Sequence, residues 1–312
     1  MELIELTVTE EFEMARLDQF LAGHLTQSRT YIQKLIKAGQ ITINGNLITR
    51  VKVPVHYGDF ILINIPDPEK LKILPEDLNL DILYEDEDVL VVNKPKGMVV
   101  HPAPGHTSGT LVNGLMYHCK DHLSGINGVL RPGIVHRIDK DTTGALIVCK
   151  NDIAHQSLAL QLKEHTITRR YNAIVWHNFT GEEGTIDKPI ARHPVNRKKM
   201  SVMPEGQGKR AVTHYNVLDH LNKQYNFIEC HLETGRTHQI RVSMAHLGCP
   251  LLGDGKYGRG EVNRRYGETR QALYSYKLSF SLPTDAGILN YLRGQTFTVE
   301  EIPFREKYFP HI

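Results

Sequence analysis

Residues 131–149 set a dense polar cluster between a turn and an apolar run. Pro132-Gly133 opens the stretch. His136-Arg137-Ile138-Asp139-Lys140-Asp141-Thr142-Thr143-Gly144 follows, and Ala145-Leu146-Ile147-Val148-Cys149 closes it. The Pro-Gly pair marks a turn, and the β-prone run reads as a buried strand. The polar residues between them therefore lie on a loop that a rigid scaffold holds, a common location for catalytic groups.

Several chemistries use parts of this pattern. Asp139-Lys140-Asp141-Thr142-Thr143 fits the D-x-D-x-T signature of aspartate-nucleophile phosphatases and resembles a haloacid-dehalogenase-type site. Such a site wants an apolar strand running into the first Asp and a later acidic pair for magnesium. Here His136-Arg137 interrupts the strand, and Gly253-Asp254 is followed by Gly258 where a second acid is needed. A calcium loop fails at Thr143 and Lys150, which stand at ligand positions. A kinase loop needs His-Arg-Asp without the inserted Ile138, and a Gly-rich phosphate loop upstream. The structural alternative is Asp139 as a helix cap or a satisfied loop carboxylate.

At 312 residues the chain has room for one small and one ordinary domain. Hydrophobic content of 40% and charged content of 23% describe a soluble globular protein. No apolar run is long enough to span a membrane. Met1-Glu2-Leu3-Ile4-Glu5 lacks the basic flank of a signal peptide, so a cytoplasmic location is expected. Four cysteines without a C-x-x-C pair are expected to be reduced and mostly buried. Cys119 with His118 and His122 is too sparse a ligand set, and none of the 17 histidines forms H-E-x-x-H, so no metal is expected.

The net charge of +2 conceals an uneven distribution. Residues 14–58 carry Arg16, Arg29, Lys34, Lys37, Arg50 and Lys52 against Asp18 alone, and residues 67–88 are acidic. Lys188, Arg192, Arg197, Lys198, Lys199, Lys209 and Arg210 then stand against Glu205. Two basic islands point to a polyanion touched in two places, although solvated faces produce the same counts.

Along the chain, Leu17, Phe20, Leu21 and Leu25 form a helical stripe. Ser28 is expected to cap a second helix bearing Ile32, Leu35 and Ile36, ended by Gly39. Ile41–Ile43, Asn44-Gly45 and Leu47-Ile48 signal a type I′ hairpin. Val51, Val53 and Val55 alternate, and Phe60–Ile63 is a strand. Residues 67–78 read as a linker between a domain at 1–66 and a larger one at 79–312. In the latter, Ile82–Tyr84 and Val89–Val92 are strands, and Leu111, Leu115 and Met116 lie on a helix. A helix stops near His165. Tyr171, Ala173 and Val175 share one face of a strand. Tyr215–Leu218 and Tyr225–Leu232 are further strands. Thr237 is expected to cap a helix running to Leu247, with Arg241 one turn in, where the dipole disfavours a cation that lacks a facing carboxylate. Gly253-x-Gly255-x-x-Gly258 reads as a loop, having no strand before it and no ribose acid after it.

Arg16-Leu17-Asp18, Ser28-Arg29 and Gly39-x-Ile41-x-Ile43-Asn44-Gly45 resemble the S-four type RNA-binding domain. The likeness implies phosphate contacts from Arg16, Arg29, Lys34, Lys37 and Arg50, which position RNA without reading its sequence. On the second basic island, Arg192, Lys198 and Lys199 are further candidates.

His136–Gly144, Arg170-Tyr171-x-Ala173 and Thr234-Gly235-Arg236-Thr237-His238-Gln239-Ile240-Arg241-Val242 resemble motifs of the RluA/RluD-type pseudouridine synthases. So do Asn93-Lys94-Pro95-x-Gly97, His101-Pro102 and Leu252-Gly253-Asp254-x-x-Tyr257-Gly258. Ile138, Ser243 and Tyr274-Ser275 depart from the usual Leu, His and His-Ala. The likeness implies an α+β protein: a small RNA-binding domain, then a catalytic domain with a mixed, mainly antiparallel sheet flanked by helices and loops.

The implied reaction breaks uridine's glycosidic bond, turns the uracil and joins C5 to the ribose, with no cofactor and no metal. Asp139 is then the nucleophile, Arg241 its salt-bridge partner, and Tyr171 a ring to stack on uracil with a hydroxyl near the departing proton. Arg137, with His136 beside it, is the candidate for the space vacated by an extruded base. The alternative for Arg137 is an ion pair with Asp141. The RluD type, nearest in its motif combination, implies the helix 69 stem-loop of large-subunit ribosomal RNA. The expected partner is that RNA or a pre-ribosomal particle, and the expected state a monomer. Other RNA uridines, or a non-catalytic assembly protein, are the alternatives.

Overall fold

The computed structural model describes residues 2–312 except Thr26, Ser28, 67–72, Pro104, Asp121, 127–130, 178–180 and 222–223. Two compact units result, Met1–Lys70 and Leu71–Ile312.

In the small unit, helices Leu17–His24 and Arg29–Lys37 pack on an antiparallel sheet. Its strands run in the order Glu2–Thr7, Phe60–Ile65, Ile41–Ile43, Asn46–Leu47. Leu17, Leu21, Ile32 and Ile36 from the helices meet Ile41, Ile61 and Ile63 from the sheet, all fully buried. Asn44 and Gly45 both have positive φ, +51° and +80°, as a type I′ turn requires. The expected Ser28 cap lies outside the described residues. The strand Glu2–Thr7 is unforeseen, although Ile4, Leu6 and Val8 turn inward while Leu3, Glu5 and Thr7 are exposed. Val51, Val53 and Val55 form no strand. Their backbone serves the segment before the first helix, with Leu17 N donating to Val53 O at 2.8 Å and Val55 N to Ala15 O at 2.9 Å.

Among the described residues of the large unit, nine strands form one sheet. Eight run in the order Ile82–Glu85, Val89–Lys94, Thr143–Cys149, Leu273–Phe280, Ile167–Trp176, Tyr225–Leu232, Val212–Leu221, Glu183–Asp187. The ninth, Thr296–Thr298, pairs with Leu273–Phe280. Neighbours are antiparallel except Thr143–Cys149 and Leu273–Phe280, which run parallel through Thr143–Tyr274 and Gly144–Ser275. This is the expected α+β fold with a mixed, mainly antiparallel sheet.

Leu90, Val92, Leu146 and Val148 feed one core, while Val89, Val91, Ala145 and Ile147 feed another. Burial on both faces is why these strands read as unbroken apolar runs rather than alternating ones. At the parallel joint Gly144 has φ +116°, and a Cβ there would stand 2.1 Å from the Ser275 carbonyl oxygen. Only glycine tolerates that approach, which fixes where the polar loop meets the sheet.

Residues 73–78, within the expected linker, lie against this unit. Ile73 is buried, Leu74 O accepts from Asn113 Nδ2 at 2.8 Å, and Glu76 accepts the Gly109 amide at 3.1 Å. All four cysteines are buried and free. The helix following Thr234-Gly235 spans Gln239–His246, and its cap is His238 in a left-handed conformation rather than Thr237. The Gln239 side chain explains the correction. Its Oε1 accepts from Arg236 N and the Thr234 hydroxyl, both at 2.8 Å, and its Nε2 donates to Val212 O at 2.9 Å. The turn is thereby tied to the sheet without a threonine cap.

Candidate active site

The polar loop is fastened from beneath by Lys94, a fully buried residue. Its Nζ donates to Pro95 O at 2.8 Å, Met98 O at 2.9 Å and Lys140 O at 3.1 Å, and Gly97 N also donates to Lys140 O. Burial pulls the Lys94 amine down to about 7. Three carbonyl acceptors nevertheless match the three N–H bonds of the ammonium form.

Held this way, Asp139 meets Arg241, with Nη1 donating to Asp139 Oδ2 at 2.8 Å. The same guanidinium donates Nε to Asp254 Oδ2 at 2.7 Å and Nη2 to Asp254 Oδ1 at 3.0 Å. Arg241 therefore faces two carboxylates, not one, which offsets the cost of burying a cation near a helix N-terminus. Burial would raise the Asp254 carboxyl. The Arg241 hydrogen bonds and the Tyr257 and Lys256 amides hold it below the usual carboxylate range instead. The Arg241 guanidinium also lies 5.2 Å from the Tyr257 ring centroid.

Tyr171 is 5% exposed and lies opposite Ser275 in the register of the neighbouring strand, one of the positions that departs from the family pattern. Burial pushes the phenol above its ordinary value, so it stays protonated at neutral pH.

Two adjoining cavities converge here. One of about 390 Å³ is lined by His101, Arg137, Asp139, Lys140, Lys256 and Arg270, among others. The other, about 140 Å³, takes in Asp139, Arg169, Tyr171, Leu232, Ile240 and Leu273. Arg137, Ile138, Asp139, His238 and Arg241 border both. Asp139, Tyr171 and Arg241 are thus together, and Arg137 stands at their edge.

His136 does not join them. Its Nε2 accepts the Ile147 amide at 3.0 Å, so the ring braces the loop against the strand rather than facing substrate. Burial and the Arg169 guanidinium push it down to about 3. The weighed pair of Arg137 with Asp141 is also not formed, because Arg270 takes Asp141 at 3.5 Å.

In the small unit, Arg16 and Arg29 clamp the buried Asp18 at 3.0 and 2.8 Å, while Lys34, Lys37 and Arg50 are exposed. The first two cations are therefore partly committed to structure. On the large unit, Arg192 and Lys198 are exposed, and Lys199 Nζ lies 5.8 Å from the Tyr257 ring. Met200 N donates to the Tyr257 hydroxyl at 2.7 Å, which joins this basic hairpin to the site. Asp254, Lys94 and Arg169 are functional candidates that sequence reasoning left without roles. The Gly253-Asp254 step and the Lys94-Pro95 pair were the available signals.

Among the described residues, no cluster of three or more His, Cys, Asp or Glu side chains is arranged to hold a metal. No helix among them is long and apolar enough to cross a membrane.

Residues 88–246 match the RNA pseudouridylate synthase family and residues 15–61 the S4 domain. The uncharacterized RNA pseudouridine synthase YlyB of Bacillus subtilis is 51% identical over 91% of this chain and 91% of its own length. Ribosomal large subunit pseudouridine synthase D of Zymomonas mobilis is 48% identical over 89% and 90%. A solved human structure, RNA pseudouridylate synthase domain containing 1, aligns with a TM-score of 0.53 at 28% identity, covering 71% of this chain and 83% of that one. With the family's model spanning half the chain and relatives spanning nine-tenths of it, the protein belongs to the RNA pseudouridylate synthase family and is an RNA pseudouridine synthase.

Proposed function

We propose that this enzyme converts uridine to pseudouridine in large-subunit ribosomal RNA, at the helix 69 stem-loop, with Asp139 as nucleophile. The observation that carries the proposal is the convergence of Asp139, Arg241 and Tyr171 on one cavity. The Arg241 guanidinium, 2.8 Å from Asp139 Oδ2, holds the carboxylate in place and aims it. Tyr171 offers its ring face to the uracil and, as a protonated phenol, a hydroxyl rather than a phenolate base. Extruding a stacked uridine costs roughly a few kcal/mol, and Arg137 at the cavity edge fills the vacated space.

Relatives named ribosomal large subunit pseudouridine synthase D, at 40–48% identity, support the choice of RNA. Lys34, Lys37 and Arg50, with Arg16 and Arg29, hold phosphates through the small unit, and Arg192, Lys198 and Lys199 hold them beside the site. The isomerisation neither oxidises nor consumes energy, so the enzyme works without a cofactor, as a cytoplasmic monomer. Chemical mapping of pseudouridine in ribosomal RNA from cells with and without this protein tests the proposal. Loss of modification at helix 69 supports it, and unchanged large-subunit RNA with loss elsewhere refutes the target.

A further inference from the structure

Arg169 is 8% exposed, and its Nε is shielded from solvent without a hydrogen-bond partner. Among the described residues it forms no ion pair. Glu229 is taken by Arg170, and both Asp139 and Asp254 by Arg241. His136 cannot satisfy it: Nε2 of that ring accepts the Ile147 amide, leaving the proton on Nδ1, and arginine has donors only. A buried donor without an acceptor is costly and calls for an explanation.

Its location supplies one. Arg169 and Tyr171 stand two residues apart on Ile167–Trp176, and both line the smaller cavity with Asp139. A Cβ on Gly235 would lie 3.1 Å from Arg169 Nη1, so the guanidinium lies along the turn leading into Gln239–His246. Leu232, Ile240 and Leu273 give this cavity apolar walls, which suit a pyrimidine ring. Lys140, Lys256 and Arg270 line the larger cavity, which suits a sugar-phosphate.

We propose that Arg169 is a further catalytic residue, donating to a carbonyl oxygen of the flipped uracil and stabilising the charge that forms there. When C1′–N1 breaks, the Asp139 carboxylate bonds to C1′, and the C1′–N1 pair stays on N1 and spreads onto O2 and O4. After the ring turns, C5 supplies the pair for the new C5–C1′ bond, and the Asp139–C1′ bond breaks with its pair returning to the carboxylate. H5 leaves as a proton and N1 gains one, so product and substrate are isomers. Arg169 keeps its protons throughout. A donor fixed in advance where charge develops lowers the barrier more than it tightens binding.

The test uses the full chain and an unmodified large-subunit RNA transcript under single-turnover conditions, with Arg169→Lys, Arg169→Gln and Arg169→Met. The choice of RNA rests on the target proposed above, so wild-type turnover is measured first. Its absence counts against that target alone, and the comparison then moves to cellular RNA that the wild type does modify. Expected is a loss of about 10²–10³-fold in rate for Gln and Met with little change in RNA affinity, and partial recovery with Lys. Transcripts with 2-thiouridine or 4-thiouridine at the target supply a readout that a structural role would not move. Sulfur accepts hydrogen bonds weakly, so one of them slows the wild type, whereas the Met variant slows no further. If Met does not accumulate, Gln carries the same comparison. Equal slowing of wild type and variant by both thio-bases overturns the proposal. A loss confined to RNA affinity, as a phosphate contact would give, also overturns it.

Discussion

Asp139 and Asp254 hold one guanidinium between them, Arg241 giving Nη1 to the first at 2.8 Å and Nε to the second at 2.7 Å. Asp254 is fully buried and also accepts the Lys256 and Tyr257 amides, so it orients Arg241 rather than meeting substrate. Removing one partner of a buried pair costs about 3–5 kcal/mol. Asp254→Asn is expected to lower the unfolding temperature and slow turnover while RNA affinity stays near wild type. Thermal unfolding and single-turnover rates check this. Wild-type values for both would remove Asp254 from the site.

Lys94 supports the loop from the other side through three carbonyl oxygens, one of them on the neighbour of Asp139. Lys94→Met keeps the buried stem but leaves Pro95 O and Met98 O without this donor, while Lys140 O keeps the Gly97 amide, at about 1–3 kcal/mol for each group left unsatisfied. Stability and rate should fall together, read from urea midpoints and from pseudouridine yield. A stable variant with full activity would show that the loop needs no such fastening.

His136 makes stability depend on acidity. Its folded value is about 3 against an ordinary 6.5, so between these pH values the unfolded chain binds a proton that the folded chain refuses. Stability from this group is therefore complete above pH 6.5 and is lost as pH falls toward 3, by up to about 1.4 kcal/mol per unit. His136→Gln keeps an acceptor for the Ile147 amide without the titration. Unfolding free energies from pH 4 to 7 should converge between wild type and variant on the acid side. Parallel curves would contradict the assignment.

The cations of the small unit are not equivalent. Arg16 and Arg29 are paired with Asp18, whereas Lys34 and Lys37 lie near the end of one helix with no carboxylate partner among the described ion pairs. Lys34→Gln with Lys37→Gln is expected to reduce the slope of log affinity against log salt by roughly 0.7–0.9 for each phosphate no longer neutralised. RNA binding measured across a salt series decides it. An unchanged slope would mean that neither lysine meets a phosphate.

The strands of the large unit were legible because their residues are apolar in runs or alternate, and the Asn44-Gly45 hairpin because its turn demands positive φ. Asp139 stood out as a polar group between a turn and a core strand, whereas Tyr171 was marked only by the family resemblance of Arg170-Tyr171-x-Ala173. Arg241 stood out because a cation near a helix N-terminus needs a carboxylate. What escaped notice depends on the meeting of distant segments. Asp254 is one more loop acid until Arg241, 13 residues earlier in the chain, closes on it. Arg169 looks like a solvated strand residue until the fold buries it. The direction of His136 was unreadable because a loop residue carries no period, so nothing local separates the cavity side from the sheet side.

Asp139→Asn is the sharpest of these experiments, since it keeps the side chain's size while removing its charge. Single-turnover pseudouridine formation on the large-subunit RNA transcript should vanish, with RNA affinity close to wild type. Product formed by the Asn variant at the wild-type rate would contradict Asp139 as the nucleophile.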